Sequence, residues 1–249
     1  RIMNKEFCSR LRRRDSMTGT FVKLHDPAVI EILAHAGLDF VVLDAEHAPL
    51  GRQQIATLLL AATAARLPAM VRVPEATKTW VSTALDCGAA GIMVPHVSTA
   101  TEAARLADLM QFGRNGRGFS PSTRAAEFGQ RGIAKHLAIQ PEETCLICQI
   151  EDPQGAQNAA DIAAIDGIDC LFVGPVDLAV SIGQTDVSND EVAALCNKVV
   201  SSAVTAEKAA GMFSASSAAA RSWQETGVSL SVVGTDQSFL KTGVLAALG

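Results

Sequence analysis

With 249 residues, 48% of them hydrophobic, the chain can bury a sizeable core, and its length suits one barrel or two small domains. Tyr is absent and aromatics reach only 4%, so that core is aliphatic, as in helix-wrapped parallel sheets rather than sandwiches. A formal net charge of -5 argues against a general polyanion binder, and no run approaches the roughly 18 uninterrupted apolar residues of a membrane span.

The chain opens on a basic arm, with Arg1, Lys5, Arg10, Arg12, Arg13 and Arg14 in its first fifteen residues. A solvated amphipathic lead-in helix is the expectation here, rather than a nucleic-acid or membrane anchor. No apolar stretch follows the charges to make a signal peptide. Six cysteines in a chain of this length read as core residues of a reducing compartment, so the protein is expected to be soluble and cytoplasmic. Cys145 and Cys148 form a C-x-x-C inside an apolar run that reads as a strand. Residues three apart on a strand face opposite ways, so this pair does not close on one metal.

Residues 18–22 form a first short strand. Asp26 and Pro27 open a helix that Gly37 ends. The second strand, 39–44, is a run of aliphatic residues that breaks within four positions into Asp44, Glu46 and His47. A helix over 51–65, a strand at 68–73, a helix over 78–87 and a strand at 91–94 come next, and a fourth helix covers 99–112. Residues 113–132 interrupt this rhythm with five glycines and four arginines, and read either as a binding loop or as a solvated excursion. Alternation resumes with a strand at 144–151, a helix over 153–164, a strand at 168–174, a helical stretch after Pro175 and a helix over 189–210. Strands at 211–214 and 229–233, a helix over 216–226 between them, and a last helix from Asp236 complete the chain. Eight strands, each followed by helix, predict a single (β/α)8 barrel over 1–249. A doubly wound open sheet is the alternative, but no G-x-G-x-x-G follows the first strand.

In such a barrel the chemistry stands at the carboxyl ends of the strands. Those ends carry Asp44, Glu46, His47, Arg72, His96, Gln149, Glu151 and Asp177. An arginine in the run Met70-Val71-Arg72-Val73-Pro74 is costly unless an anion meets it. Gln149 and Glu151 share one strand face, about 6.6 Å apart. Glu151 and Asp177 supply two hard oxygen donors on adjacent strands, which suits Mg²⁺ or Mn²⁺ with water and substrate completing the shell, while His47 keeps Co or Zn open. The turn Gly174-Pro175-Val176-Asp177 presents amides of a helix start to a carboxylate. Metal, amides and guanidinium at one corner point to a small 2-oxo acid.

The segments LDAEHAP (43–49), VRVP (71–74), QIED (149–152) and VGPVDL (173–178) resemble, in order and spacing, those of the HpcH/HpaI family of metal-dependent pyruvate aldolases. The resemblance runs from about residue 16 almost to the end. It implies that His47 is the acid/base, Arg72 stabilises an enolate, Gln149 contacts substrate, Glu151 and Asp177 hold the metal, and the Val176 amide meets a carboxylate. Asp86, which by itself reads as a helix-terminal acid, is implied to raise the basicity of the histidine of a neighbouring subunit. A homo-oligomer, hexamer or trimer, with an exchanged C-terminal helix is implied as well. The expected reaction is reversible cleavage of a 4-hydroxy-2-oxo acid to pyruvate and an aldehyde, with no nucleic-acid or membrane partner. Oxaloacetate decarboxylation and acyl-CoA cleavage are alternatives on the same scaffold. A Schiff-base mechanism needs a lysine in the barrel, for which Lys23 is the strand-end candidate. Arg117 or Arg124 of the long loop is expected to lie over the aldehyde-derived half.

Overall fold

The computed structural model describes residues 2–249; Arg1, part of the basic arm, lies outside the described residues. Strands β1 (Met17–Val22), β2 (Phe40–Asp44), β3 (Ala69–Arg72), β4 (Gly91–Val94), β5 (Cys145–Ile150), β6 (Cys170–Val173), β7 (Ala209–Ser214) and β8 (Leu230–Thr235) pair in sequence order. Every pairing is parallel, and β8 returns to β1. The expected (β/α)8 barrel is therefore what this chain forms. Its strands are near-continuous apolar runs because both faces are buried, and the two-residue period sorts their side chains. Phe40, Val42, Met70, Met93, Ile147 and Phe172 fill the interior. Val41, Leu43, Val71, Ile92 and Leu146 pack outward under the helices. The C-x-x-C pair obeys the same alternation: Cys145 lies inside, 3.9 Å from the Met70 sulfur, and Cys148 lies in the outer layer.

The helices are α1 (Ile2–Arg12), α2 (Pro27–His35), α3 (Arg52–Ala65), α4 (Lys78–Asp86), α5 (Ala100–Met110), α6 (Ile133–Glu143), α7 (Pro153–Gln157), α8 (Ala159–Ala163), α9 (Pro175–Ser181), α10 (Asp190–Thr205), α11 (Ser217–Gln224) and α12 (Asp236–Leu248). Asp26 caps α2 through the Ala28 amide, and Thr99 closes a capping box with Glu102 on α5. The helix expected over 153–164 is two short helices divided at Asn158, whose backbone (φ -88°, ψ 5°) leaves the helical range. The helix expected over 189–210 stops at Thr205, because Ala209 and Ala210 pair with Cys170 and Leu171 of β6. Helix α6 has no counterpart in the sequence reading. Pro141 conceals it, yet sits in the last turn, where only one intrahelical bond is lost.

The basic arm is more than a solvated lead-in. Helix α1 buries Phe7, Cys8 and Leu11 against the interior cluster and closes the N-terminal end of the barrel. The Phe7 and Phe40 rings meet at 5.5 Å. Arg10 reaches Asp39 (2.8 Å), and Arg12 reaches Asp169 (2.8 Å) and the carbonyl oxygens of Pro141 and Thr144. So the arginines tie this plug to loops at the same end. Among the described residues no helix is long and apolar enough to cross a membrane.

Candidate active site

Strands β2 and β3 end in register, with Asp44 beside Arg72. Arg72 Nε donates to Asp44 Oδ1 (3.0 Å) and Nη2 to Oδ2 (2.8 Å), both residues being buried. The isolated strand arginine thus meets an anion of its own chain, which offsets its desolvation. Asp44 also accepts the amides of Glu46 (3.2 Å) and His47 (3.1 Å), and so shapes the turn that carries the histidine. Burial pushes the Asp44 carboxyl up, but the hydrogen bond and charge of Arg72, the His47 amide and Lys23 outweigh it and hold it below the usual range. The Arg72 guanidinium stands 4.2 Å over the Phe21 ring, and its Nη1 has no acceptor among the described residues.

Across the mouth, β5 brings Gln149 and, one step past its end, Glu151; they are 2% and 3% exposed. Gln149 Nε2 donates to Glu151 Oε1 (2.5 Å), while Gln149 Oε1 is buried without a partner. Gly174 is required here, since a Cβ at that position would collide with the Glu151 carboxylate. His96 adopts a left-handed backbone (φ 54°) that aims its amide at Glu151 Oε2 (3.1 Å). Its ring lies 3.3 Å from the same oxygen and 3.5 Å from Glu46 Oε1. Burial, reinforced by Asp177 and Glu46 and opposed by His96, pushes the Glu151 carboxyl up to about 7. Asp177 projects from the first turn of α9, whose opening amides have no acceptor within the helix.

A cavity of about 130 Å³ occupies this mouth, lined by Lys23, His47, Arg72, Gln149, Val176 and Asp177 among others. The structure therefore gathers His47, Arg72, Gln149, Gly174, Val176 and Asp177 around one small volume, with Asp44 and Glu151 holding its walls. Two wider hollows, about 740 and 410 Å³, flank α1 and its neighbouring loops, and neither is lined by a histidine. His96 is the residue whose part the sequence understated. Its signal was its position directly after Pro95, at the end of the fourth strand.

Three expected residues, Asp86, Arg117 and Arg124, do not line this mouth. Asp86 ends α4 at the N-terminal end of the barrel, where Arg117 Nη1 donates to it at 2.9 Å. Arg117 is 1% exposed, donates from Nε to the Met110 carbonyl and lies 3.7 Å over Phe112. Burial pulls its guanidinium down to about 10, against the opposing charge and hydrogen bond of Asp86. Residues 113–132 lead from α5 into α6, and the Ala125 amide bonds the Asp86 carbonyl, so the loop packs against the far end of the barrel. The expectation that Arg117 covers the acceptor half of a substrate in its own barrel is thereby corrected. Arg124, 5.7 Å over Phe128, is likewise absent from the lining of the mouth. A connection that follows a helix returns to the strands' amino ends, which is the physical reason.

Fold and mouth together define a barrel enzyme whose charged groups gather at the strand ends. Residues 17–241 match the model of the HpcH/HpaI aldolase/citrate lyase family, and the chain belongs to that family of carbon–carbon lyases. A hydroxypyruvate/pyruvate aldolase of Paraburkholderia phytofirmans is 36% identical over 248 residues, spanning 96% of this chain and 95% of its own. A 5-keto-4-deoxy-D-glucarate aldolase of Shigella boydii is 32% identical, spanning 94% and 91%. Among solved structures, an HpcH/HpaI aldolase/citrate lyase family protein from Burkholderia cenocepacia matches with a TM-score of 0.92 at 36% identity and covers 98% of each chain.

Proposed function

We propose that the chain catalyses the reversible aldol cleavage of a 4-hydroxy-2-oxo acid to pyruvate and an aldehyde, with a divalent cation, Mg²⁺ or Mn²⁺ first, held by Glu151 and Asp177. The observation that carries this reading is the meeting of His47 and Arg72 with Gln149 and Asp177 around one cavity of about 130 Å³. Relatives named as pyruvate aldolases over nearly the full chain support it.

Among the described residues no three His, Cys, Asp or Glu side chains converge as a complete metal cage. A two-carboxylate anchor still fits a hard cation, because Mg²⁺ keeps several positions for water and substrate. Three features of the corner favour positive charge there: a Glu151 carboxyl pushed up by burial beside Asp177 and Glu46, the orphaned Gln149 Oε1, and the side-chain-free cradle at Gly174. When bound, the cation would supply positive charge at the keto and carboxylate oxygens.

The chain's own groups divide the remaining work. Arg72, fixed by Asp44, presents positive charge where an enolate oxygen forms. Val176 offers its amide to the carboxylate, and Gln149 orients the substrate. In the cleavage direction His47 takes the proton of the 4-hydroxyl, the C3–C4 electron pair passes to the enolate, and the aldehyde departs. Protonation at C3 then gives pyruvate. Because Asp86 stands at the opposite end of its own barrel, a contribution to His47 requires a second copy of the chain, and the same holds for Arg124. The exposed apolar residues of α12, Phe239, Leu240, Val244, Leu245 and Leu248, support the homo-oligomer. A cytoplasmic location accords with six cysteines that form no disulfide.

Mixing the protein with pyruvate, an aldehyde and Mg²⁺ or Mn²⁺ tests the reading. Addition product should form, vanish with EDTA, and persist after borohydride treatment in the presence of pyruvate. Full activity in EDTA, or covalent trapping of pyruvate on Lys23, would sink it.

A further inference from the structure

With the loop arginines at the far end, Lys23 is left beside Arg72 as a second cation lining the mouth. It follows β1 directly, and its backbone is fixed from the start of α12: the Lys23 amide donates to both carboxylate oxygens of Asp236 (3.1 Å each), and the Leu24 amide donates to Asp236 Oδ2 (2.9 Å). Asp236 is itself buried. The anchored backbone sends the side chain, 21% exposed, over the cavity that His47 and Arg72 also line.

Its only ion-pair partner among the described residues is Asp44, at 3.4 Å. That is beyond the 2.7–3.2 Å of a good N–H···O bond. Asp44 has little capacity to spare, since it already accepts two bonds from Arg72 and two from backbone amides. A lysine has three donors, so the ammonium retains donors for a ligand in the cavity. Arg72 differs in this respect, being clamped by Asp44 and seated on Phe21. One cation is built in and the other is only tethered.

We infer that Lys23 is a specificity-determining residue that pairs with a distal anionic group, a carboxylate first, on the aldehyde-derived half of the substrate. The inference rests on the aldolase reading for which half is which, but the residue's charge selectivity does not depend on turnover. Arg72 and Lys23 both reach Asp44 Oδ2, at 2.8 and 3.4 Å, so a clamped and a tethered cation stand side by side on one wall of a small cavity, an arrangement that selects a short dianion over a monoanion of equal length. Lys23 is no catalytic residue in this scheme: it touches substrate remote from the bond that breaks.

The test uses ligands that cannot be cleaved, since they lack a 4-hydroxyl. Calorimetric titration of the Mg²⁺-loaded protein with 2-oxoadipate and with 2-oxohexanoate reads the preference for a distal carboxylate. Wild-type protein should favour the diacid by about fivefold, the scale of a partly exposed ion pair. Lys23→Met should abolish that ratio, and Lys23→Arg should preserve it. A wild-type ratio near one, or a ratio that survives in Lys23→Met, overturns the inference. Equal loss of both ligands in Lys23→Met overturns it too, because the lysine then only supports Asp44. Failure of the aldolase reading shows up separately, as absence of addition product from wild-type protein with every aldehyde tried.

Discussion

Arg72 and Asp44 are a buried pair on which both stability and the proposed chemistry bear. Because Asp44 is fully buried and accepts a two-pronged contact, Arg72→Ala would strand a buried carboxylate, a loss of about 3 kcal/mol or more. Arg72→Lys is the better probe, as it keeps a cation against Asp44 while losing the planar fork. Turnover should fall about a hundredfold, the scale of one removed transition-state donor. Near-wild-type turnover would show that Arg72 balances Asp44 and does nothing more. The same variant should change the acid limb of stability. The folded Asp44 carboxyl lies below its unfolded value, so its contribution is complete above an unfolded pKa of about 4 and is lost as pH falls through the lower folded value. With the weaker lysine contact that depression shrinks. Urea midpoints taken at about pH 6 and about pH 3 should therefore differ less in Arg72→Lys than in wild type; an unchanged difference would assign the acid sensitivity to other carboxyls.

Helix α1 shows why an element has to be judged by what lies under it. Its arginines suggest a wet surface, yet Leu11 and Cys8 have no exposed area and Phe7 is 2% exposed. The plug covers the amino ends of the strands. Leu11→Ala should cost about 2–5 kcal/mol by cavity formation. Arg13→Ala, on a pair with Asp15 that is exposed on both sides, should cost less than about 1 kcal/mol. Equal denaturant midpoints for the two variants would mean that α1 is a solvated lead-in after all. The long loop belongs to the same end: Arg131 bridges Glu143 and Glu127 there, and Arg117 bridges Asp86. Arg117 and Arg131 are structural ties of the chain's own far end.

For the whole molecule, the separation of Asp86 from His47 is the decisive feature. Two singly inactive chains, His47→Ala and Asp86→Ala, should regain activity when co-refolded if the acid is shared between copies. In the mixed assembly some sites combine a native His47 with a native Asp86 from the other chain. Recovery by mixing, set against activity of each variant alone, checks this. No recovery, or an active Asp86→Ala chain, would confine the site to residues of one barrel.

The barrel itself was legible because each parallel strand is buried on both faces and so writes a short aliphatic run, and because direction along the chain puts Asp44, Arg72, Gln149, Glu151 and Asp177 at strand ends. The same alternation puts Cys145 and Cys148 on opposite faces of β5. Three outcomes needed the fold. The fate of Arg117 depended on Asp86, thirty-one positions earlier, and on the Phe112 ring, neither of which a glycine-rich loop announces. The aim of Lys23 depended on Asp236, two hundred and thirteen positions later, which pins its backbone across the β1–β8 seam. The role of His96 depended on a left-handed backbone that no local preference of histidine dictates. Local sequence sets which face a strand buries, since that is a matter of period and nearest neighbours. Which distant charge a polar side chain finds is decided only when closure of the barrel brings the partners into contact.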